Sequence, residues 1–371
     1  MIIAALIAFI SILYISIILF FSIGLQKLLS KRDNGINKFE KLSVVIPFRN
    51  EANNLPLLLE SLTNQSLPKE LFEIILVNDH STDNSWVIAQ EISCKFQNIR
   101  VVALADELNG KKAALSFGVG LAINPVIAFT DADCLPSNYW LESISRLVGN
   151  GVDFIVGTVV LTAKDDFVSK IQSLEYASLM ATAAGSCGIE HPVIASSANL
   201  AFNKEVFDNL HEQFNPMISS GDDMFLLHRA KRIKNCKISF LIDTNAFVET
   251  STQTSISGAI NQRKRWASKS IFYRDIDTIL IGLIVLLFNL LLIALLIGAI
   301  FAIHYLLIYA ILLVIKSSVD YLLVSKYLKF VNQEKLLRIF LPLQLLYPLY
   351  VVYSFFVGIV NKGYWKGRKI S

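Results

Sequence analysis

No charged side chain precedes Lys27, and the run from Met1 to Leu29 is predominantly apolar. About 20 such residues cross the hydrocarbon core of a bilayer, so this segment reads as a membrane anchor. The other reading is a cleaved leader, which needs a basic start, a shorter apolar core and a small-residue cleavage site. None of the three stands out. Lys27, Lys31, Arg32, Lys38 and Lys41 follow the run. Positive charge gathers on the cytoplasmic side of membrane segments, which predicts an amino terminus outside and a cytoplasmic segment after the anchor. Further apolar runs lie at about Ile279 to Ile303, Tyr305 to Val324 and Ile339 to Val360. Lys326, Lys329, Lys335 and Arg338, between the last two, predict another cytoplasmic loop. Three full spans would put Lys362, Lys366, Arg368 and Lys369 outside, against their charge. Pro342 and Pro348 leave open a re-entrant or interfacial last run.

The middle of the chain has a different character. Hydrophobic residues make up 54% of the whole and charged residues 17%, with the apolar share concentrated at the two ends. The expected organisation is an anchor at 1–29, a cytoplasmic domain at 41–275 and a membrane region of two or three helices at 276–371. Such a chain is a multi-pass cell-membrane protein. A net charge of +4 gives no sign of nucleic-acid binding. Cys94, Cys134, Cys187 and Cys236 are scattered without a C-x-x-C pair, which argues against a zinc site or a disulfide framework and fits a reducing compartment.

Within the middle, Lys41 to Pro47 is a short β-branched run, a buried strand by its pattern. Helical spacing follows over Asn53 to Leu62. Phe72 to Val77 reads as a second strand, Ser85 to Phe96 as a helix, Ile99 to Ala103 as a third strand, Lys111 to Ala122 as a helix and Val126 to Thr130 as a fourth strand. Strands alternating with helices predict an α/β fold, a doubly wound, mostly parallel sheet. Ligands of such sheets bind beyond the carboxyl ends of the strands. Arg49 to Glu51, Asn78 to Asp83 and Asp131 to Asp133 all fall there.

Asp131 and Asp133 are two apart at the end of an apolar strand. Both carboxylates can approach one hard cation, Mg²⁺ or Mn²⁺, which takes oxygen ligands and shares them with substrate phosphates; alternatively the pair is a solvated loop. Asp79 follows its strand in the same way and is either a ligand contact or a turn-former. Asp83 reads as a helix cap. Gly110-Lys111-Lys112 opens a helix, where lysine is unfavourable with the helix dipole unless an anion is near; a surface lysine pair is the alternative. Asp223, in Gly221-Asp222-Asp223, is either a cap or a general base. Gln262-Arg263-Lys264-Arg265-Trp266 precedes an apolar run. It can anchor the membrane interface and can also contact phosphate through an arginine, with the tryptophan stacking near an acceptor; one segment could do both.

Taken together, VVIPFRNE at Val44 to Glu51, VNDHSTDNS at Val77 to Ser85, GKKAAL at Gly110 to Leu115, TDADC at Thr130 to Cys134, GDDMFL at Gly221 to Leu226 and QRKRW at Gln262 to Trp266 resemble the family-2 glycosyltransferases. The resemblance spans roughly Leu42 to Ser270. The Q-x-x-R-W form is shared by membrane-embedded members, including cellulose, chitin and hyaluronan synthases and ceramide glucosyltransferases. The resemblance implies a GT-A fold. It also implies that Pro47, Glu51 and Asp79 contact the donor nucleotide, Asp79 on the base, with Lys111 near the nucleotide or its diphosphate. Asp131 and Asp133 would hold nucleotide and metal, Asp133 more directly. Asp223 would be the catalytic base. Gln262, Arg265 and Trp266 would border the acceptor and product phosphates. Where the family often has Glu-Asp, this chain has Asp222-Asp223. Ser196 to Phe207 resembles the acceptor-side loop that precedes the base.

The resulting expectation is a metal-dependent, inverting hexosyltransferase of glycolipid or polysaccharide biosynthesis. Its donor would be a nucleotide sugar, a UDP-sugar first, and its acceptor a lipid or glycan at the membrane. A processive polysaccharide synthase is the alternative, although two or three carboxyl-terminal spans are few for a polymer channel. A non-enzymatic scaffold would not be expected to keep Asp79, Asp133, Asp223 and Arg265. A nucleotidyltransferase would not explain QRKRW.

Overall fold

A computed structural model of the chain describes residues 1–31, 38–208, 222–360, 364–365 and 368–369. Arg32, Gly221, Lys362 and Lys366 lie outside the described residues. In chain order the first elements are α1 (Ile2–Leu29), β1 (Leu42–Phe48), α2 (Leu55–Thr63), β2 (Phe72–Asn78), α3 (Ser85–Ser93), β3 (Ile99–Ala103), α4 (Lys111–Leu121), β4 (Val126–Phe129), β5 (Cys134–Pro136) and α5 (Trp140–Gly149). There follow β6 (Phe154–Gly157), β7 (Val159–Thr162), α6 (Phe167–Gly188), β8 (Leu200–Asn203), α7 (Lys204–Asp208), α8 (Asp222–Ala230), β9 (Ile238–Leu241) and β10 (Val248–Ser251). Helices α9 (Ile256–Ala267), α10 (Ile276–Gly298), α11 (His304–Phe330) and α12 (Phe340–Val360) lead to a two-residue ladder between Tyr364–Trp365 and Arg368–Lys369. The chain divides into two compact units, one of Lys31–Thr162 with Ala195–Ser251, the other of Met1–Ser30, Ala163–Ile194 and Thr252–Ile370.

The first unit is built on a seven-stranded sheet of order β3-β2-β1-β4-β8-β6-β9. Every residue of β1 is buried, as its continuous apolar run requires of a strand covered on both faces. It pairs in parallel with β2 on one side and β4 on the other. The chain therefore leaves β1 at the point where the strand order reverses, the place where α/β sheets bind ligands. Helix α4 lies close on β1 and β2: a Cβ at Gly118 would meet the Val45 and Val77 side chains. The four expected strands are present to within a residue, and α3 stops three residues early, where the turn at Lys95 and Phe96 redirects the chain into β3. Strand β8 is the departure from a purely parallel order. It runs antiparallel to both β4 and β6, so the sheet is mixed and rich in parallel pairs.

In the second unit, α1, α10, α11 and the segment Glu334–Phe356 are long and apolar enough to cross a membrane. The prolines do not break the last of these. Pro342 sits in the first turn of α12, where a missing N–H loses no helical partner, and α12 continues through Pro348. Four polar side chains meet among these helices. Lys316 is fully buried and donates to Asp320 Oδ2 and Gln344 Oε1, each at 2.6 Å, while Tyr14 donates to Asp320 Oδ1 at 2.8 Å. The cluster ties α1, α11 and α12 together. Removing one partner strands a buried charge, which costs about 3–5 kcal/mol, whereas replacing the pair by apolar residues is often neutral. Asp320→Ala is therefore expected to lower the thermal midpoint in detergent sharply, and Lys316→Met with Asp320→Leu to recover most of the loss. Equal destabilisation by the single and double changes would mean that the charges do not act as a pair.

Candidate active site

The register of β1 against β2 sets Phe48 opposite Asn78, so Arg49 and Asp79 leave adjacent strands side by side. Arg49 Nη1 donates to the Asp79 carbonyl at 3.3 Å and lies 4.0 Å from its Oδ2. Asp79 Oδ1 accepts the Gly110 N–H at 3.1 Å. Gly110 has φ +92°, a conformation open to glycine and strained for other residues, so this N–H reaches Asp79 because a glycine stands there. His80, also left-handed at φ 54°, places its ring 2.9 Å from the Leu108 carbonyl. Asn78, whose Oδ1 accepts the Ser81 N–H at 3.0 Å, shapes the turn, and Asp79 is the buried carboxylate at the end of β2, 1% exposed.

Asp83 is not the cap of α3, which is Asn84 with no side-chain cap bond; it stands one residue earlier and accepts the Ser85 N–H at 3.0 Å and the Ala52 N–H at 3.2 Å. Burial pulls its pKa up, yet the Ser85 and Ala52 donors hold the carboxyl below its usual range. The loop after β1 is thereby braced against α3, and the Glu51 N–H adds a bond to Ser85 Oγ at 2.7 Å. The Glu51 carboxylate accepts from Asn54 at 2.6 Å. Pro47 is buried in β1 opposite Val77.

The acidic end of β4 is organised by β8. Because the two strands are antiparallel with Phe129 opposite Leu200, the residues entering β8 lie beside those leaving β4. Lys111 Nζ reaches Asp131 Oδ1 at 2.5 Å and Ser197 Oγ at 2.8 Å. The Ser197 N–H in turn donates to Asp223 Oδ2 at 3.3 Å. Asp223 Oδ1 accepts the Met224 N–H at 2.9 Å, so the carboxylate also serves the start of α8. The entering loop is pinned from below by Asn199, fully buried, which accepts from Trp140 Nε1 and donates to the Thr158 carbonyl, both at 2.8 Å. Lys111, Asp131 and Asp223 are brought together through Ser197, a residue the sequence offered only inside a low-specificity acceptor-side stretch.

Carboxylate oxygens of Asp131 and Asp133 and the Cys134 sulfur lie within 4.8 Å of one another. Asp133 is solvent-accessible, but the protein around it raises its pKa, the Asp131 and Glu51 carboxylates add to the effect, and Lys111 opposes it. Negative charge crowded at an accessible point is the condition a divalent cation relieves. Burial and the same two aspartates push the Cys134 thiol well above its usual range, so it stays protonated. Hard cations prefer oxygen. The donor set therefore fits Mg²⁺ or Mn²⁺ through Asp131 and Asp133, with Cys134 as packing.

Gln262, Arg265 and Trp266 belong to α9, in the helical unit. The residue between them, Arg263, is buried and forks onto Glu175 of α6, with bonds of 2.6 to 2.9 Å. Burial works against its charge, and Glu175 more than offsets this. The Tyr350 hydroxyl of α12 donates to the same carboxylate. Nothing in the sequence pattern singled out Glu175, since it lies far from the motif along the chain.

A family model described as glycosyl transferase family 2 matches residues 43–211, the span that holds β1 to β8, the acidic pair and Lys111. Residues 43–211 are a glycosyltransferase family 2 domain. The glycosyltransferase AglE of Haloferax volcanii is 30% identical over 192 residues, which are 52% of this chain and 60% of that one. The poly(ribitol-phosphate) beta-glucosyltransferase of Bacillus spizizenii is 37% identical over 93 residues, 25% of this chain and 15% of that one. The chain thus spans less than two thirds of the length of either relative. Among solved structures, a mannosyltransferase from Pyrobaculum calidifontis, in complex with GDP-Man and Mn²⁺, superposes with a TM-score of 0.51 at 15% identity, over 93% of this chain and 98% of that one. This likeness is one of fold. The family 2 domain has the GT-A architecture expected of it.

Proposed function

We propose that the chain transfers a sugar from a nucleotide-sugar donor to a lipid or glycan acceptor at a membrane, with inversion at the anomeric carbon. The observation that carries this reading is the meeting of Lys111 and Asp223 on Ser197, with Asp131 on the same lysine ammonium, at the carboxyl end of β4 beside the exposed Asp133. The donor nucleotide lies along Pro47, Glu51 and Asp79. The acceptor hydroxyl gives its proton to Asp223 as its oxygen bonds to the anomeric carbon. The bond from that carbon to the phosphate oxygen breaks, and the electron pair leaves with the nucleoside diphosphate. Lys111 stabilises that charge. A divalent cation held by Asp131 and Asp133, when bound, neutralises the diphosphate as a Lewis acid. Gln262, Arg265 and Trp266 serve the acceptor and product phosphates. A UDP-sugar is the first donor to test, and the GDP-Man of the Pyrobaculum neighbour makes a GDP-sugar the second. Lys27 and Lys31 at the end of α1 favour a catalytic domain on the cytoplasmic side, where nucleotide sugars are made.

The deciding experiment is transfer in membranes carrying the full chain, with radiolabelled UDP- and GDP-sugars and Mn²⁺, followed by organic extraction. Label in the lipid phase is the expected result. Label in an insoluble polymer would favour the processive reading. No transfer from any nucleotide sugar would overturn the assignment.

A further inference from the structure

Arg263 stands inside the QRKRW segment without a role in the reading above. Its surroundings define one. Arg263 is 8% exposed and its guanidinium is occupied by Glu175, with Nε at 2.9 and 2.8 Å from the two carboxylate oxygens and Nη2 at 2.6 Å. Tyr350 braces the same carboxylate. An arginine so engaged, with its charge balanced in a buried fork, is poorly suited to bind a ligand phosphate itself. Two of its contacts instead reach its own motif. Nη1 donates to Gln262 Oε1 at 2.7 Å, and Cζ lies 4.5 Å from the centre of the Trp266 ring, which Tyr176 flanks at 5.9 Å.

A guanidinium has donors and no acceptor. The end of the Gln262 amide that faces it must therefore be the oxygen, and the NH₂ is the end turned away. Phosphate oxygens only accept hydrogen bonds. A glutamine locked in this sense is matched to phosphate, whereas a freely rotating amide presents its oxygen as often as its nitrogen. A glutamate at this position would satisfy Arg263 equally well and present negative charge.

We propose that Arg263, held by Glu175 and Tyr350, is a positioning residue that orients the Gln262 amide as a hydrogen-bond donor to a phosphate-bearing ligand and steadies Trp266 beside it. This rests on the reading of α9 as a phosphate-binding segment. Glu175, on α6, and Tyr350, on α12, become part of the device, so three helices set the polarity of one amide.

The test is calorimetry of UDP and of GDP, each with Mn²⁺, on the purified full chain in detergent. Gln262→Ala is expected to weaken the bound nucleotide by about tenfold, the scale of a hydrogen bond to a charged group, and Gln262→Glu by more. Glu175→Met with Arg263→Met removes both buried charges together. In that background binding is weaker, and adding Gln262→Ala costs less than about twofold, because the amide is no longer oriented. Such non-additivity marks residues that act through one another, and a merely structural role does not produce it. Arg263→Lys keeps a cation for Glu175 without the forked donor to Gln262. It is expected to show the same loss of coupling, and it serves if the double variant does not fold. The same penalty for Gln262→Ala in all backgrounds would overturn the positioning role while leaving the phosphate reading intact. If Gln262→Ala and Arg265→Ala both leave binding unchanged, or neither nucleotide binds, the phosphate reading of α9 falls and the inference with it.

Discussion

Asp223→Asn is expected to reduce turnover by about 10²–10⁴-fold, the usual span for loss of a general base, while the affinity for the donor changes little. The substitution keeps the size of the side chain and one acceptor oxygen, enough for one of the two N–H groups, of Ser197 and of Met224, that end on separate oxygens of Asp223. Basicity is lost. An interaction made only in the transition state lowers turnover without touching ground-state binding. Asp79→Ala is the natural contrast. Asp79 fastens Gly110 and neighbours Arg49, so its removal loosens the donor side of the cleft and weakens nucleotide binding first. The two variants are to be measured side by side, with donor affinity by calorimetry and turnover from product formation in the same detergent. Near-normal transfer by Asp223→Asn would remove it as the base. Loss of donor binding in Asp223→Asn but not in Asp79→Ala would reverse the two roles.

Asp133→Ala is expected to lower transfer by about 10²–10³-fold, because a cation's stabilisation of the leaving group is worth several kcal/mol. The same change should leave the fold intact. Asp133 is accessible, so little packing goes with it, and its carboxylate stands against Asp131 and Glu51, so removing it relieves repulsion in the metal-free protein. The thermal midpoint without cation should therefore hold or rise slightly. Wild-type activity should vanish in EDTA and return with Mn²⁺ or Mg²⁺, and the variant should need far more cation for any return. Full wild-type activity in EDTA would sink the metal reading, and so would an unimpaired variant. Asp131→Ala is a less clean probe, because Asp131 also holds the Lys111 ammonium.

Much of this protein was legible from local pattern. Apolar runs long enough for a bilayer named the four helices that are long and apolar enough to cross one. Alternating strand and helix periods named the sheet and its first four strands. Acidic residues at strand ends named Asp79, Asp131 and Asp133 as candidates, and a lysine at a helix start named Lys111. These signals are readable because each depends on neighbours a few residues away, where side-chain period and turn chemistry act directly. Three features were not legible in local pattern. Strand β8 is antiparallel, and that reversal delivers Ser197 to Lys111 and Asp223. The continuity of α12 through Pro342 and Pro348 depends on its own first turn and its surroundings, which the prolines alone left open. Arg263 is joined to Glu175, 88 residues away, in a helical unit where α9 packs on α12. A hydrogen bond across such a separation leaves no periodic trace, because the residues between can take any sequence that folds. The sequence determined which side chains could do chemistry, and the tertiary structure decided which of them meet, since strand direction and helix packing set the distances over which a lysine, a carboxylate or an amide can act.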